Sequence, residues 1–145
     1  MDAKLSKDIV VCLAEKVKDW KADKVVGVES RGFLFGMMLA NELNIPFVPI
    51  RKKGKLPYNT VGISYDLEYG KASIEMHADA IKKGERILVH DDLLATGGTA
   101  DAATRLVIAE GGEIAGFCFL ANLSFLKGSD ILAKYADNSF SLATY

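Results

Sequence analysis

The chain has 145 residues, 50% hydrophobic and 26% charged, with a net charge of −1. That length supports one domain over residues 1–145 with a core that needs no disulfide staples. The balanced charge gives no global electrostatic case for nucleic acid or an anionic membrane surface, and no run is long and apolar enough to span a bilayer. Cys12 and Cys118 sit in apolar surroundings without CxxC spacing, so they read as reduced core residues. With no secretory h-region at the N-terminus, the expected location is the cytoplasm.

Residues 6–20 place Ile9, Val10, Leu13, Val17 and Trp20 at helical spacing, with Ser6 as N-cap and Trp20 as core packing. Residues 24–29 (KVVGVE) read as a buried strand, followed by a Ser30-Arg31-Gly32 turn and a helix over 33–43. Loops at the carboxyl ends of parallel strands build sites in α/β sheets, which makes Glu29, Ser30 and Arg31 candidates. Arg31 supplies a planar, permanently charged anion donor. A second strand covers 47–50, and Pro49 pushes it toward an edge or a bulge. The basic run Arg51-Lys52-Lys53-Gly54-Lys55 follows at its end.

Residues 56–72, rich in Gly, Pro, Tyr and Asn, predict a flexible connection with short strands near 62–65 and 72–76. Tyr58 and Tyr65 are expected to be packing residues. Residues 78–84 form a polar link into the central strand. His90 reads as a hydrogen-bonded structural histidine, and His77 has no acid/base partner in sequence. The two histidines lack metal-ligand spacing.

The most informative stretch is 87–99, ILVHDDLLATGGT. An apolar, β-branched strand (87–91) ends in the paired carboxylates Asp91 and Asp92. The small-residue loop Ala95-Thr96-Gly97-Gly98-Thr99 then opens a helix over 100–110. A helix start offers unpaired N–H groups and partial positive charge. Gly97 and Gly98 admit an anion close to the backbone, and Thr96 and Thr99 add hydroxyls. The carboxylates would repel a phosphate but suit sugar hydroxyls or a Mg²⁺ ion held partly through water. The order describes a ribose-5-phosphate site. No Gly-Lys-Ser/Thr follows the glycines, so it is not a P-loop. Gly111-Gly112 stops the helix. A strand over 114–120, then Asn122-Leu123, a late helix or turn at 126–128 and a short strand at 140–142 complete the chain. The alternation predicts an α/β fold: a parallel sheet flanked by helices, with the extra strands as an antiparallel lid hairpin over about 56–76.

The string DDLLATGGT resembles the phosphoribosyl-pyrophosphate (PRPP) motif of type I phosphoribosyltransferases, in its adenine phosphoribosyltransferase version. RKKGKLP and DLEYGKA match the same family, and the resemblance covers nearly the whole chain. It implies that Ala95 to Thr99 hold the 5′-phosphate and that Asp91 and Asp92 hold the ribose hydroxyls and associated Mg²⁺. There is no dedicated protein-only metal site; PRPP and waters supply most of the ligands. Ser30, Arg31, Arg51 and Lys55 would hold pyrophosphate, with Lys52 as substitute. A non-proline cis peptide is expected at Glu29–Ser30. Glu68 would be the acid/base partner of the purine, Tyr69 would close the lid, and Leu123 would line the base pocket. The family carries an acidic residue where Asn122 stands and an apolar one where His90 stands. It normally opens with a Phe-Pro-x-Pro-Gly-type hood that reads the purine, and Met1 to Ser6 offer nothing like it, so a hood-less chain is expected.

The implied activity is phosphoribosyl transfer from PRPP to adenine, giving AMP and pyrophosphate with Mg²⁺, in a homodimer. The alternatives are a non-catalytic PRPP- or nucleotide-binding or truncated form, and a transferase for another purine base.

Overall fold

The structure is a computed structural model that describes residues 2–67 and 70–145. Helix α1 (Ala3–Val17) starts earlier than the apolar stripe suggests. Its N-cap is Asp2, whose carboxylate accepts the Leu5 N–H at 2.7 Å. Ser6 is not the cap: it lies inside the helix, buried, with its hydroxyl donated to the Asp2 carbonyl. Asp2 lets the helix begin a turn earlier, since its carboxylate accepts a first-turn N–H and its negative charge suits the helix N-terminus, which leaves Ser6 inside. Val10, Leu13 and Val17 are buried as expected. A 3₁₀ turn (Lys18–Trp20) ends in left-handed Lys21, and the Trp20 ring packs over Gly116.

The remaining elements are β1 (Lys24–Val28), α2 (Gly32–Glu42), β2 (Phe47–Lys52), β3 (Thr60–Leu67), β4 (Gly70–His77), β5 (Arg86–Leu94), α3 (Gly98–Ala109), β6 (Glu113–Asn122), a 3₁₀ turn (Ser124–Leu126), α4 (Gly128–Leu132) and β7 (Ser139–Thr144). Their strands form one sheet of order β3-β4-β2-β1-β5-β6-β7. The β2-β1-β5-β6-β7 part is parallel, and β3-β4 is an antiparallel hairpin joined antiparallel to β2. One core layer packs α3 and the hairpin against Val26, Ile50, Val89 and Phe117. The other packs α1 and α2 against Val25, Leu88 and Cys118. Both faces of the central strands are therefore covered, as a parallel sheet requires.

Three expectations need correction. β2 is an interior strand, yet Pro49 is tolerated because β4 joins β2 only at Arg51 and Lys52. The carbonyls of Pro46 and Ile50 take the N–H groups of Val25 and of Glu29, the residue after β1, so by strand alternation Pro49 faces the unpaired side. The expected flexible connection at 56–72 is instead mostly strand: β3 and β4 pair without a break in register from Thr60↔His77 to Leu67↔Gly70. Polar residues there read as loop in sequence but satisfy their backbone across the hairpin. Tyr65 is half-buried against the core. Tyr58 is 95% exposed and left-handed (φ 60°) in the turn before β3, so it is not a packing residue. Gly111 (φ 87°) stops α3 as expected.

Candidate active site

From β1 the chain winds outward to β2, and from β5 it winds the opposite way to β6. The crevice between the carboxyl ends of two such strands is where open α/β sheets bind ligands. It is widened here by a mismatch in length. β1 ends at Val28, whereas β5 runs past its last β1 partner, His90, to Leu94, supported on one side by β6. Asp91 and Asp92 therefore do not end the strand. They lie on its one-sided extension, because β6 continues to pair as far as Asn122.

A cavity of about 360 Å³ occupies this crevice, lined by Glu29, Ser30, Arg31, Lys52, Asp91, Asp92, Leu93 and Thr99. The peptide between Glu29 and Ser30 is cis. A smaller pocket of about 80 Å³ adjoins it, formed by Asp91 and residues 93–100. It shares Asp91, Leu93 and Thr99 with the first. An open hollow of about 520 Å³ near Tyr58 and His77 lacks a comparable set of converging donors and acids.

The small pocket is the start of α3. Gly97, at φ 84°, is the left-handed N-cap, a conformation that side chains rarely adopt. The free N–H groups of the first turn face the pocket side of the helix end. Asp101 in that turn does not cancel the positive end. Its carboxylate is taken up by Arg105 (2.9 Å), Lys134 (3.1 Å) and the Tyr135 hydroxyl (2.8 Å), which together hold it below the usual carboxylate range against the opposing effect of its partial burial.

The acids are tuned differently. Burial pushes Asp91 up to about 7, reinforced by its neighbour Asp92, although Asp91 Oδ1 accepts the Asp92 N–H at 2.8 Å. Gly32 opens α2 against Asp91: a Cβ there would lie 2.8 Å from Asp91 Oδ1. Asp92 is ion-paired to the Arg31 guanidinium, which is otherwise 70% exposed. Glu29 would be raised by burial, but the Lys52 N–H (2.7 Å) and Arg51 outweigh that and lower it. The arrangement offers backbone N–H groups for one phosphate, carboxylates for vicinal hydroxyls, and two cations, Arg31 and Lys52, for a second anionic group.

A model of the Phosphoribosyl transferase domain matches residues 3–143. The adenine phosphoribosyltransferase of Cytophaga hutchinsonii is 49% identical over 144 residues, 99% of this chain and 80% of that protein. This chain belongs to the adenine phosphoribosyltransferase family. Among solved structures, the adenine phosphoribosyltransferase of Thermoanaerobacter pseudethanolicus superposes with a TM-score of 0.95 at 44% identity, covering 99% of this chain and 83% of that one. The Trypanosoma brucei enzyme, solved with AMP, pyrophosphate and ribose-5-phosphate, gives 0.86 at 30% identity, covering 99% and 65%.

Within this adenine phosphoribosyltransferase fold, Ser30, Arg31, Asp91, Asp92 and Ala95 to Thr99 converge on the two adjoining pockets. Arg51 and Lys55 do not line them. Arg51 turns to Glu29 and donates to the Lys55 carbonyl at 2.9 Å, and the exposed Lys55 lies out on the loop. Lys52 is the basic-loop residue in the cavity. Leu123 follows β6, its N–H bonded to the Leu94 carbonyl at 2.9 Å. Glu68 and Tyr69 lie outside the described residues.

His90 is a fully buried structural histidine; neither ring nitrogen meets a partner at good hydrogen-bond geometry among the described residues, and the Cys118 backbone gives it only a weak contact. It is wedged under α2 near Gly36, and burial pushes its pKa down to about 4, leaving it neutral. Burial likewise pushes the Cys118 thiol up to about 12, and both cysteines are free. Sequence reasoning missed three supporting residues. Gly128 lets α4 rest against the phosphate loop. Glu75 ties down the basic loop. The Tyr65 hydroxyl reaches Thr99 Oγ1 at 3.4 Å. Only the small size of Gly128 and the isolated acid in an otherwise apolar 74–76 segment hinted at the first two.

Proposed function

We infer that this chain transfers the phosphoribosyl group of PRPP to adenine, giving AMP and pyrophosphate, a purine-salvage reaction. The observation that carries the reading is the pair of adjoining pockets that share Asp91, Leu93 and Thr99. One fits a 5′-phosphate at a helix start. The other has room for a ribose and its diphosphate between acids and cations. The Trypanosoma brucei relative was solved with AMP, pyrophosphate and ribose-5-phosphate, ligands built from the same groups.

Ala95 to Thr99 bind the 5′-phosphate, and Asp91 and Asp92 accept the ribose hydroxyls, which fixes the anomeric carbon. Arg31 and Lys52, with Ser30, receive the departing pyrophosphate. Its developing charge is stabilised by groups already in place, so catalysis is mainly positioning and electrostatics. Arg31 is paired with Asp92 in the free chain, and binding the diphosphate redirects the guanidinium, leaving Asp92 to the sugar. By family likeness Glu68 handles the purine proton and Leu123 lines the base.

Magnesium fits this donor set. Asp91 and Asp92 are hard oxygen donors in the cavity, and among the described residues no cluster of three or more His, Cys, Asp or Glu forms a closed metal cage. An ion there would be held largely by substrate and water, and would neutralise diphosphate charge. The two free cysteines support a reducing, cytoplasmic setting. Among the described residues no helix is long and apolar enough to cross a membrane. A homodimer is supported by the exposed Leu34 and Met37 on α2, and light scattering measures it directly.

The test is a purine panel. The purified chain with PRPP and Mg²⁺ is offered adenine, hypoxanthine, guanine and xanthine separately, with nucleotide and pyrophosphate measured. AMP from adenine alone supports the reading. A different base consumed would reassign the substrate. PRPP bound with no nucleotide formed would replace the enzyme by a binding protein.

A further inference from the structure

The basic segment that spans the end of β2 and the loop after it packs four cations, Arg51, Lys52, Lys53 and Lys55, into five residues around Gly54. Like charges at this density repel, and a glycine-containing exposed loop has no core of its own to hold it. The Lys53 N–H still donates to the Ser73 carbonyl of β4 at 3.0 Å, and beyond it three successive N–H groups share one acceptor. A single carboxylate oxygen, Glu75 Oε1, accepts the successive N–H groups of Gly54, Lys55 and Leu56 at 2.9, 3.1 and 3.0 Å. Its other oxygen takes the Thr60 hydroxyl at 3.2 Å. Three converging N–H groups form the kind of concavity that binds an external anion elsewhere; here β4 supplies the anion. Glu75 is only 5% exposed. It lies opposite Arg51 across the β2–β4 ladder and opposite Gly62 across the hairpin.

The bonds hold the carboxyl group below its ordinary range, led by the Leu56 N–H, so it stays charged as an acceptor. Glu29 does the same from the other side by accepting the Lys52 N–H. Two carboxylates thus bracket the loop through its backbone and leave the lysine side chains free. Glu75 does not line the site cavity; Lys52, at the loop's start, does.

We propose that Glu75 is a positioning residue for the diphosphate half of the site: an internal anion that shapes residues 53–56 and so fixes where the loop's cations stand. This rests on the transferase reading above.

The test compares Glu75→Ala, Glu75→Gln and Glu75→Asp with wild type by two readouts. The first is steady-state kinetics in PRPP. The second is trypsin cleavage within 52–56, followed by mass spectrometry, with melting temperature as control. Glu75→Ala is expected to raise the KM for PRPP about tenfold with kcat within about threefold, and to be cut in the loop while melting stays close to wild type. Glu75→Gln keeps an acceptor oxygen for the three N–H groups and an amide for Thr60. It is expected to recover both readouts to within about threefold.

Unchanged KM and unchanged loop protection in Glu75→Ala would overturn the proposal. So would equal loss of kcat and kcat/KM without selective loop cleavage. If Glu75→Ala does not fold, Glu75→Asp, which withdraws the carboxylate by one methylene, decides by the same two readouts. If wild type forms no nucleotide, the transferase reading fails, and loop cleavage with calorimetric PRPP binding still decides the role of Glu75.

Discussion

Replacing Gly128 with alanine tests whether the phosphate loop is shaped by what lies behind it. Gly128 is the first residue of α4, and its backbone sits directly against residues 95–97. A Cβ there would overlap the Ala95 carbonyl oxygen, stand 2.9 Å from the Gly97 nitrogen and 3.0 Å from Leu94 Cδ1. The first two neighbours are backbone, so no side-chain rotation relieves the contact. From the other side, a Cβ on Gly97 would lie 2.9 Å from the Gly128 carbonyl oxygen. The methyl is accommodated only if the loop or α4 recedes by about 1 Å, a displacement that can cost on the order of 100-fold in rate when it moves a positioning group. Overpacking of this kind costs about 1–3 kcal/mol of stability, which a domain of this size survives. The expected result is a folded Gly128→Ala chain, by circular dichroism and a cooperative melt, with kcat/KM for PRPP reduced roughly 100-fold. The adenine KM, extrapolated to saturating PRPP, should change less. A folded variant with wild-type PRPP kinetics would refute the coupling between α4 and the phosphate loop.

Lys52→Ala should raise the KM for PRPP about tenfold with little change in melting temperature, because Lys52 lines the cavity. Arg51→Ala should instead lower the melting temperature by several degrees, on the order of 1–2 kcal/mol, since its guanidinium holds Glu29 and the Lys55 carbonyl. Asp92→Asn should reduce turnover by about two orders of magnitude, and unchanged turnover would remove the ribose assignment. The pH dependence follows from Asp91. Its carboxyl titrates at about 7 when folded, against an ordinary value of 3.8, so the folded chain holds more protons between those two pH values. Stability contributed by this group is therefore full below about pH 4, falls as pH rises to about 7, and is flat above. Asp91→Asn, measured by denaturant melts in EDTA, should be more stable than wild type by up to about 4 kcal/mol at pH 8 and nearly equal to it at pH 4, with turnover lost. No pH dependence in the difference would show that Asp91 is not buried as described.

The sequence revealed most where one residue type has one physical use. The Ala95 to Thr99 string could be read because small residues, hydroxyls and a helix start share a single purpose, and the structure puts them around one pocket. The order of strands and helices could be read because apolar runs of β length alternate with helical stripes. What escaped depends on partners distant in sequence. Nothing local distinguishes Arg51 from Lys52. Their roles separate only when Glu29, just past the end of the neighbouring strand, takes the guanidinium of one and the amide of the other. The length of β5 was unreadable for the same reason: two aspartates look like the end of a strand until β6 is seen to run on beside them. The surroundings of Tyr58 and His90 are not legible locally, because an aromatic or imidazole ring carries no mark in sequence of what the fold will place around it.

The site owes its place to that unequal support. If β1 were as long as β5, its backbone would pair with Asp91 and Asp92, and the crevice would close into an ordinary ladder. By stopping at Val28 and turning into α2 at Gly32, β1 leaves the acids with one free flank and brings Arg31 to face them. β2 then delivers Lys52 from the other side of β1, held by Glu29. The two aspartates come from β5, Glu29 and Arg31 from the turn after β1, and Lys52 from the end of β2, so three neighbouring strands set the charged groups of the cavity. Asp91 and Lys52 are held by sheet pairing, whereas the basic loop beyond Lys53 hangs on Glu75. That makes the loop the place where a single buried carboxylate has leverage over substrate binding.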